Sequence, residues 1–147
     1  MINYGKQSIN QDDIDAVIEV LESDFLTQGP KVEEFENDLR SYCGSKHARV
    51  VTNATSALHL AYVAIGLKKD DIVWTSPNTF VSTANAALYC GAKVEFVDID
   101  PKTYNISIEA LKAKLKIAEA VGQLPKLIVP CLLYTSDAAD ESSSGVR

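Results

Sequence analysis

The sequence predicts an α/β fold, a mostly parallel sheet with flanking helices, on three observations. Stretches with apolar residues at helical spacing alternate with short apolar runs that read as strands. Glycines stop the helical stretches, most clearly Gly66 and Gly91. A chain of 147 residues with 46% hydrophobic and 23% charged residues has the length and composition of one domain able to bury a core.

The elements follow in order. "DDIDAVIEVLES" puts Ile14, Val17, Ile18 and Leu21 on one face, with Asp12 and Asp13 in the first turn, where the helix dipole favours anions; it predicts a surface helix. "FLTQGP" interrupts the pattern at Gly29 and Pro30, and "KVEEFENDLRSYC" resumes it with Val32, Phe35, Leu39 and Tyr42 on one face. "ARVV" predicts a short buried strand, "TSALHLAYVAIGL" a helix, "DIVWTS" a strand and "TFVSTANAALYCG" a helix. "KVEFVDID" is a third strand, "SIEALKAKLKIAEAVG" a third helix of the alternating series and "KLIVP" a fourth strand. Such alternation implies crossover connections and parallel pairing. Ligands then belong at the carboxyl ends of the strands, where "TNATSALHL" and "TSPNTFVST" fall.

The formal charge of −6 argues against a nucleic-acid surface, which needs clustered lysine and arginine. No signal region opens the chain and no apolar run is long enough to span a membrane, so a cytoplasmic, reducing setting is expected. Cys43, Cys90 and Cys131 are not spaced as metal ligands and are expected to be buried free thiols; no metal site is expected. His47 and His59 have no partner suggesting a triad, and Asp98 and Asp100 before Pro101 read as turn chemistry.

Two loops carry chemistry with more than one reading. In "NATSAL" the hydroxyls of Thr55 and Ser56 sit where a helix begins; the local sequence favours an ordinary cap, and it also suits an anion held by free amides and the helix dipole. Phe80 suits core packing, or stacking on a flat heteroaromatic ring.

Several segments together, "LTQGP", "VEEFE", "KHARVVTNATSALHLA", "WTSPNTFVSTANAALYCGAKVEFVDIDP" and "LPKLIVP", resemble in order and spacing the DegT/DnrJ/EryC1/StrS family of sugar aminotransferases. The resemblance covers about residues 2 to 130. It implies the fold type I of pyridoxal-phosphate-dependent transferases, with residues 1–130 as the amino-terminal part of its large domain. It also implies pyridoxal 5′-phosphate as cofactor, with Thr55 and Ser56 on its phosphate and Phe80 against its ring. Tyr4, Asp24, Phe25, Leu26, Thr27 and Ala54 then match positions lining a nucleotide-sugar site. The implied reaction moves an amino group from L-glutamate to C4 of a UDP-linked 4-keto sugar, in a homodimer.

The family's cofactor-bearing lysine and its ring-nitrogen aspartate belong to segments after the fourth strand whose contexts are absent from this sequence. No catalytic residue is therefore assigned, and a catalytically inactive amino-terminal fragment is expected. Lys93, Lys102, Lys112 and Lys126 read as solvated charges. Residues 131–147 are set apart from the fold: "CLLYTSDAADE" resembles the translation of a sequencing-library adapter, the alternative being a disordered natural tail. Two further readings stand beside the transaminase. One is a dehydratase of the same family, with histidine in place of the lysine; the other is a non-enzymatic phosphate- or nucleotide-binding module.

Overall fold

Eight elements are formed in the computed structural model, which describes residues 7–132; Tyr4 and positions 133–147 lie outside the described residues. They are α1 (Gln11–Leu21), α2 (Pro30–Cys43), α3 (Ala54–Ala64), β1 (Ile72–Thr75), α4 (Ser82–Tyr89), β2 (Lys93–Phe96), α5 (Ile108–Ala120) and β3 (Leu127–Val129). The chain divides into two units, Met1–Val50 and Val51–Arg147.

In the first unit, α1 begins with a reciprocal cap. The Asn10 side chain accepts from the Asp13 amide at 3.0 Å, and the Asp13 carboxylate accepts from the Asn10 amide at 2.9 Å, so two amides without helical partners are satisfied together. Pro30 opens α2, where its missing N–H costs nothing, and Gly44 closes it with φ 61°. The apolar face predicted for α1 is present but uncovered among the described residues: Ile14, Val17, Ile18 and Leu21 are all exposed.

The predicted strand at 48–51 does not form. The Val50 amide, which would have joined a ladder, donates instead to Oε1 of Glu36 at 3.0 Å, and no described strand pairs with the segment. Arg49 donates to Oε2 of the same carboxylate. Glu36 is a buried residue of α2, and those two donors are what let a charge stay there.

In the second unit a three-stranded sheet has the order β2-β1-β3, parallel throughout, as the alternation predicts. Val73 pairs with Val94 on one side and Leu127 on the other. Because strand side chains alternate, Val73 and Trp74 serve opposite faces. Val73 packs with Tyr62, Leu67, Ala86, Ala87 and Ala92. Trp74 packs with Val97, Ile106 and Ala118. Lys114 of α5 lies with Nζ 4.6 Å from the centre of the Trp74 ring; it also donates to the Phe96 carbonyl at 2.9 Å and pairs with Glu95.

The helices end at glycines as predicted: Gly66 and Gly91 both have φ 75°. At Gly91 a Cβ would also lie 3.3 Å from the Lys69 backbone, so both conformation and space call for glycine. Asp100 makes the predicted turn, its carboxylate accepting from the amides of Lys102 and Thr103 at 2.7 and 3.0 Å. The cysteines depart from expectation. Cys43 is exposed and Cys131 half-buried, and Cys90, also half-buried, packs against the edge of the Val73 cluster at the end of α4 without being enclosed by it.

The Glu36 clamp carries a pH prediction. The Val50 amide first, then Arg49, hold the Glu36 carboxyl below its ordinary 4.5. A depressed carboxyl stabilises the fold fully above the unfolded value and loses that contribution as pH falls through the folded one. Urea unfolding followed from pH ~6 to ~3 is expected to show an acid-dependent loss of stability below about 4.5 that is smaller in Glu36→Gln.

Candidate functional site

The opening of α3 combines a cap with free donors. Asn53 is the N-cap, extended at φ −167°, and its side-chain oxygen accepts from the Ser56 amide at 2.9 Å. The Ala57 amide returns to the Asn53 carbonyl at 3.1 Å, starting the helical ladder. The amides of Ala54 and Thr55, in the first turn, have no intrahelical carbonyl within reach. Thr55 and Ser56 are half-buried, Ala54 is exposed, and the Ser56 hydroxyl lies 3.4 Å from that of Thr52. Asn53 thus does the capping. Two amides, two hydroxyls and the positive end of the helix dipole are left for an anion.

Phe80 lies on the loop that leaves the carboxyl end of β1 and leads into α4, and it is 71% exposed. It is not a core residue, so the packing reading of the sequence is set aside and the ring face is open to a ligand. Two hydrogen bonds hold the loop to Thr83, and a third ties Thr83 to α3. The Thr83 amide donates to the Phe80 carbonyl at 3.0 Å, and the Thr83 and Thr79 hydroxyls lie 3.0 Å apart. The Thr83 carbonyl in turn accepts from the buried Tyr62 hydroxyl at 3.1 Å.

Ser76, directly after β1, and Ser82, first in α4, are buried with hydroxyls that have no hydrogen-bond partner among the described residues. An unpaired buried hydroxyl costs about 1–3 kcal/mol, so each calls for an explanation. The edge that carries Phe80 is thus polar, incompletely satisfied and next to an exposed aromatic ring. An exposed ring suits a planar ligand, and the donors at α3 suit an anion.

In the first unit, Asp24, Phe25, Leu26 and Thr27 form the exposed loop between α1 and α2. The loop folds back on itself. Gln28 has φ 53°, and a Cβ on Gly29 would lie 3.1 Å from both Cβ and the carbonyl oxygen of Phe25. Phe25 and Leu26 line a cavity of about 240 Å³ with Val20, Ser23, Gly29 and Lys31.

The residues set aside at the sequence level stay outside both loops. Lys93 pairs with Asp70, Lys112 with Glu109 and Lys126 with Asp71, all at the surface, and Lys102 is exposed. The His59 ring meets Tyr89 edge-on at 5.5 Å. No group of potential metal ligands occurs, and no helix is long and apolar enough to cross a membrane, among the described residues. Sequence reasoning missed Tyr62, Thr79 and Thr83. The available signal was a phenol flanked by aliphatic residues of α3, since a buried tyrosine hydroxyl seeks a partner.

A model of the DegT/DnrJ/EryC1/StrS aminotransferase family matches residues 7–135. Over 115 residues the chain is 55% identical to the UDP-4-amino-4,6-dideoxy-N-acetyl-beta-L-altrosamine transaminase of Campylobacter jejuni strain 81-176, covering 78% of this chain and 30% of that one. Helicobacter pylori PseC, an aminotransferase involved in the biosynthesis of pseudoaminic acid, superposes with a TM-score of 0.75 at 35% identity, over 87% of this chain and 33% of that one. The PLP form of Streptococcus pneumoniae Spr1654 gives a TM-score of 0.73 at 26% identity, over 76% and 29%. The chain spans about a third of the length of the relatives it matches.

Replacing the cap tests the local account of α3. Asn53→Ala is expected to destabilise the chain by about 1 kcal/mol in chemical denaturation, the usual cost of losing an N-cap side chain. Thr52→Ala, which loses two long contacts of its hydroxyl, one with the Ser56 hydroxyl and one accepted from the Asn53 side-chain amide, both 3.4 Å, is expected to change stability by much less.

Proposed function

The chain belongs to the DegT/DnrJ/EryC1/StrS aminotransferase family, and we propose that it is the amino-terminal, ligand-binding part of a nucleotide-sugar transaminase dependent on pyridoxal 5′-phosphate. The whole enzyme would transfer an amino group from L-glutamate to C4 of a UDP-linked 4-keto-6-deoxy-N-acetyl hexose in pseudaminic acid biosynthesis, working as a cytoplasmic homodimer. The observation that carries this reading is the 55% identity to the altrosamine transaminase, in a chain whose α3 opens with unclaimed donors and whose Phe80 ring is exposed.

Each residue is given a role, that of Tyr4 resting on the family resemblance alone. The amides of Ala54 and Thr55, with the hydroxyls of Thr55 and Ser56, would hold the cofactor phosphate, where the helix dipole adds to the hydrogen bonds. Phe80 would cover one face of the pyridine ring and keep water from it. When bound, pyridoxal phosphate supplies the carbonyl that carries nitrogen between donor and acceptor, and an electron-withdrawing ring. Asp24, Phe25, Leu26 and Thr27, with Tyr4 and Ala54, would bind the nucleotide sugar. The turn that Gln28 and Gly29 impose keeps that loop preorganised, so less entropy is lost on binding. None of the 147 residues is given the part of the cofactor-bearing lysine, so the chain by itself would bind and not turn over.

Calorimetric titration of the chain with pyridoxal 5′-phosphate and with inorganic phosphate tests the reading. Thr55→Ala/Ser56→Ala is expected to weaken both ligands roughly tenfold or more, as loss of hydrogen bonds to a charged group does. Phe80→Ala is expected to weaken pyridoxal phosphate alone. A wild-type chain that binds neither ligand would refute the assignment.

A further inference from the structure

We propose that Thr83, anchored by Tyr62, is the positioning residue for Phe80, setting the ring-covering side chain at a fixed place relative to the anion-binding end of α3. The proposal rests on the reading of Phe80 as the residue that stacks on the cofactor ring. Phe80 is 71% exposed, so packing of its own side chain does not orient it; its backbone must. That backbone is held by the Thr83 amide on the Phe80 carbonyl at 3.0 Å, and the preceding residue is held by the contact between the Thr79 and Thr83 hydroxyls, also 3.0 Å.

Thr83 is itself tied to α3. The Tyr62 hydroxyl, on a residue only 3% exposed, donates to the Thr83 carbonyl at 3.1 Å. Around it lie Leu67, Val73, Ala86 and Ala87, an apolar setting in which a phenylalanine would bury the same ring without a hydroxyl to satisfy. The Thr83 carbonyl already faces the helical ladder of α4, so the phenol is not needed to satisfy it. What the hydroxyl adds is a directional link from α3 to the peptide that holds Phe80. Burial, and secondarily the charge of Cys90, push the Tyr62 hydroxyl up from its ordinary value of 10.0, which keeps it a donor through the neutral range. As α3 is one continuous helix, the link refers Phe80 to Thr55 and Ser56 at the start of that helix.

The test is a double-mutant cycle on the full 147-residue chain, titrated by calorimetry with pyridoxal 5′-phosphate and separately with inorganic phosphate, which reports on the α3 end alone. Tyr62→Phe is expected to weaken pyridoxal phosphate binding roughly three- to tenfold, the worth of one neutral hydrogen bond, and to leave phosphate binding unchanged. In the Phe80→Ala background the same substitution is expected to cause no further loss. Thr83→Val, which cuts only the hydroxyl contact to Thr79, is expected to give the same pattern with a smaller loss, and it carries the test if Tyr62→Phe does not fold. Equal weakening of both ligands by these variants, or a loss that persists undiminished without the Phe80 ring, would overturn the positioning role while leaving the cofactor assignment standing. A wild-type chain that binds pyridoxal phosphate no more tightly than phosphate would instead overturn the stacking role of Phe80, and the positioning role with it.

Discussion

The double-sided burial of β1 is the constraint on which the rest of the second unit depends. Val73 and Trp74 are adjacent, essentially inaccessible to water, and point to opposite faces of the sheet, so each face must be covered by helix. One face is closed by α3 and α4 through Tyr62, Ala86 and Ala87, the other through Ala118 of α5 together with Val97 and Ile106. Burying a residue such as Val73 is worth about 1.5–3 kcal/mol relative to leaving it exposed, against about 1 kcal/mol for a typical N-cap and about 0–1 kcal/mol for a surface ion pair. The parallel pairing on both edges of β1 follows from the same arrangement, since helical crossovers return each new strand in the same direction.

That packing also determines where the chemistry can be. A loop that leaves the end of a buried central strand has little freedom at its start, and Ser76 and Ser82 are buried on either side of the loop that presents Phe80. Its middle, by contrast, reaches solvent. The result is an exposed aromatic ring on a short, hydrogen-bonded backbone, while Asn53 satisfies one amide of α3 and leaves others to a ligand. Capping therefore does not exhaust the donors of this helix end, because the cap uses the third amide of the turn and leaves the first two without a helical partner.

Outside that core, apolar surface is plentiful. The faces of α1, together with Leu60, Val63 and Leu88 in the second unit, are exposed, and β2 and β3 are both edges of the described sheet. Open strand edges favour pairing with further strands. The chain also matches only about a third of each relative's length.

Elements whose signals are local were legible from the residues alone. Helical spacing placed α1, α2, α3, α4 and α5 within a few residues, and Gly66 and Gly91 marked two of their ends because left-handed backbone favours glycine. Alternation of helix and strand implied the parallel sheet, and Asp100 declared its turn. The segment at 48–51 shows the limit. Its apolar residues suit a strand, but a strand exists only through a partner, and here the Val50 amide is taken by Glu36, 14 positions away. Likewise the link from Tyr62 through Thr83 to Phe80 spans 21 positions at its longest step and has no local periodicity to announce it. Spacing along the chain records which face a residue is on; which donor meets which acceptor across two packed elements is decided only when burial forces each polar group to find a partner.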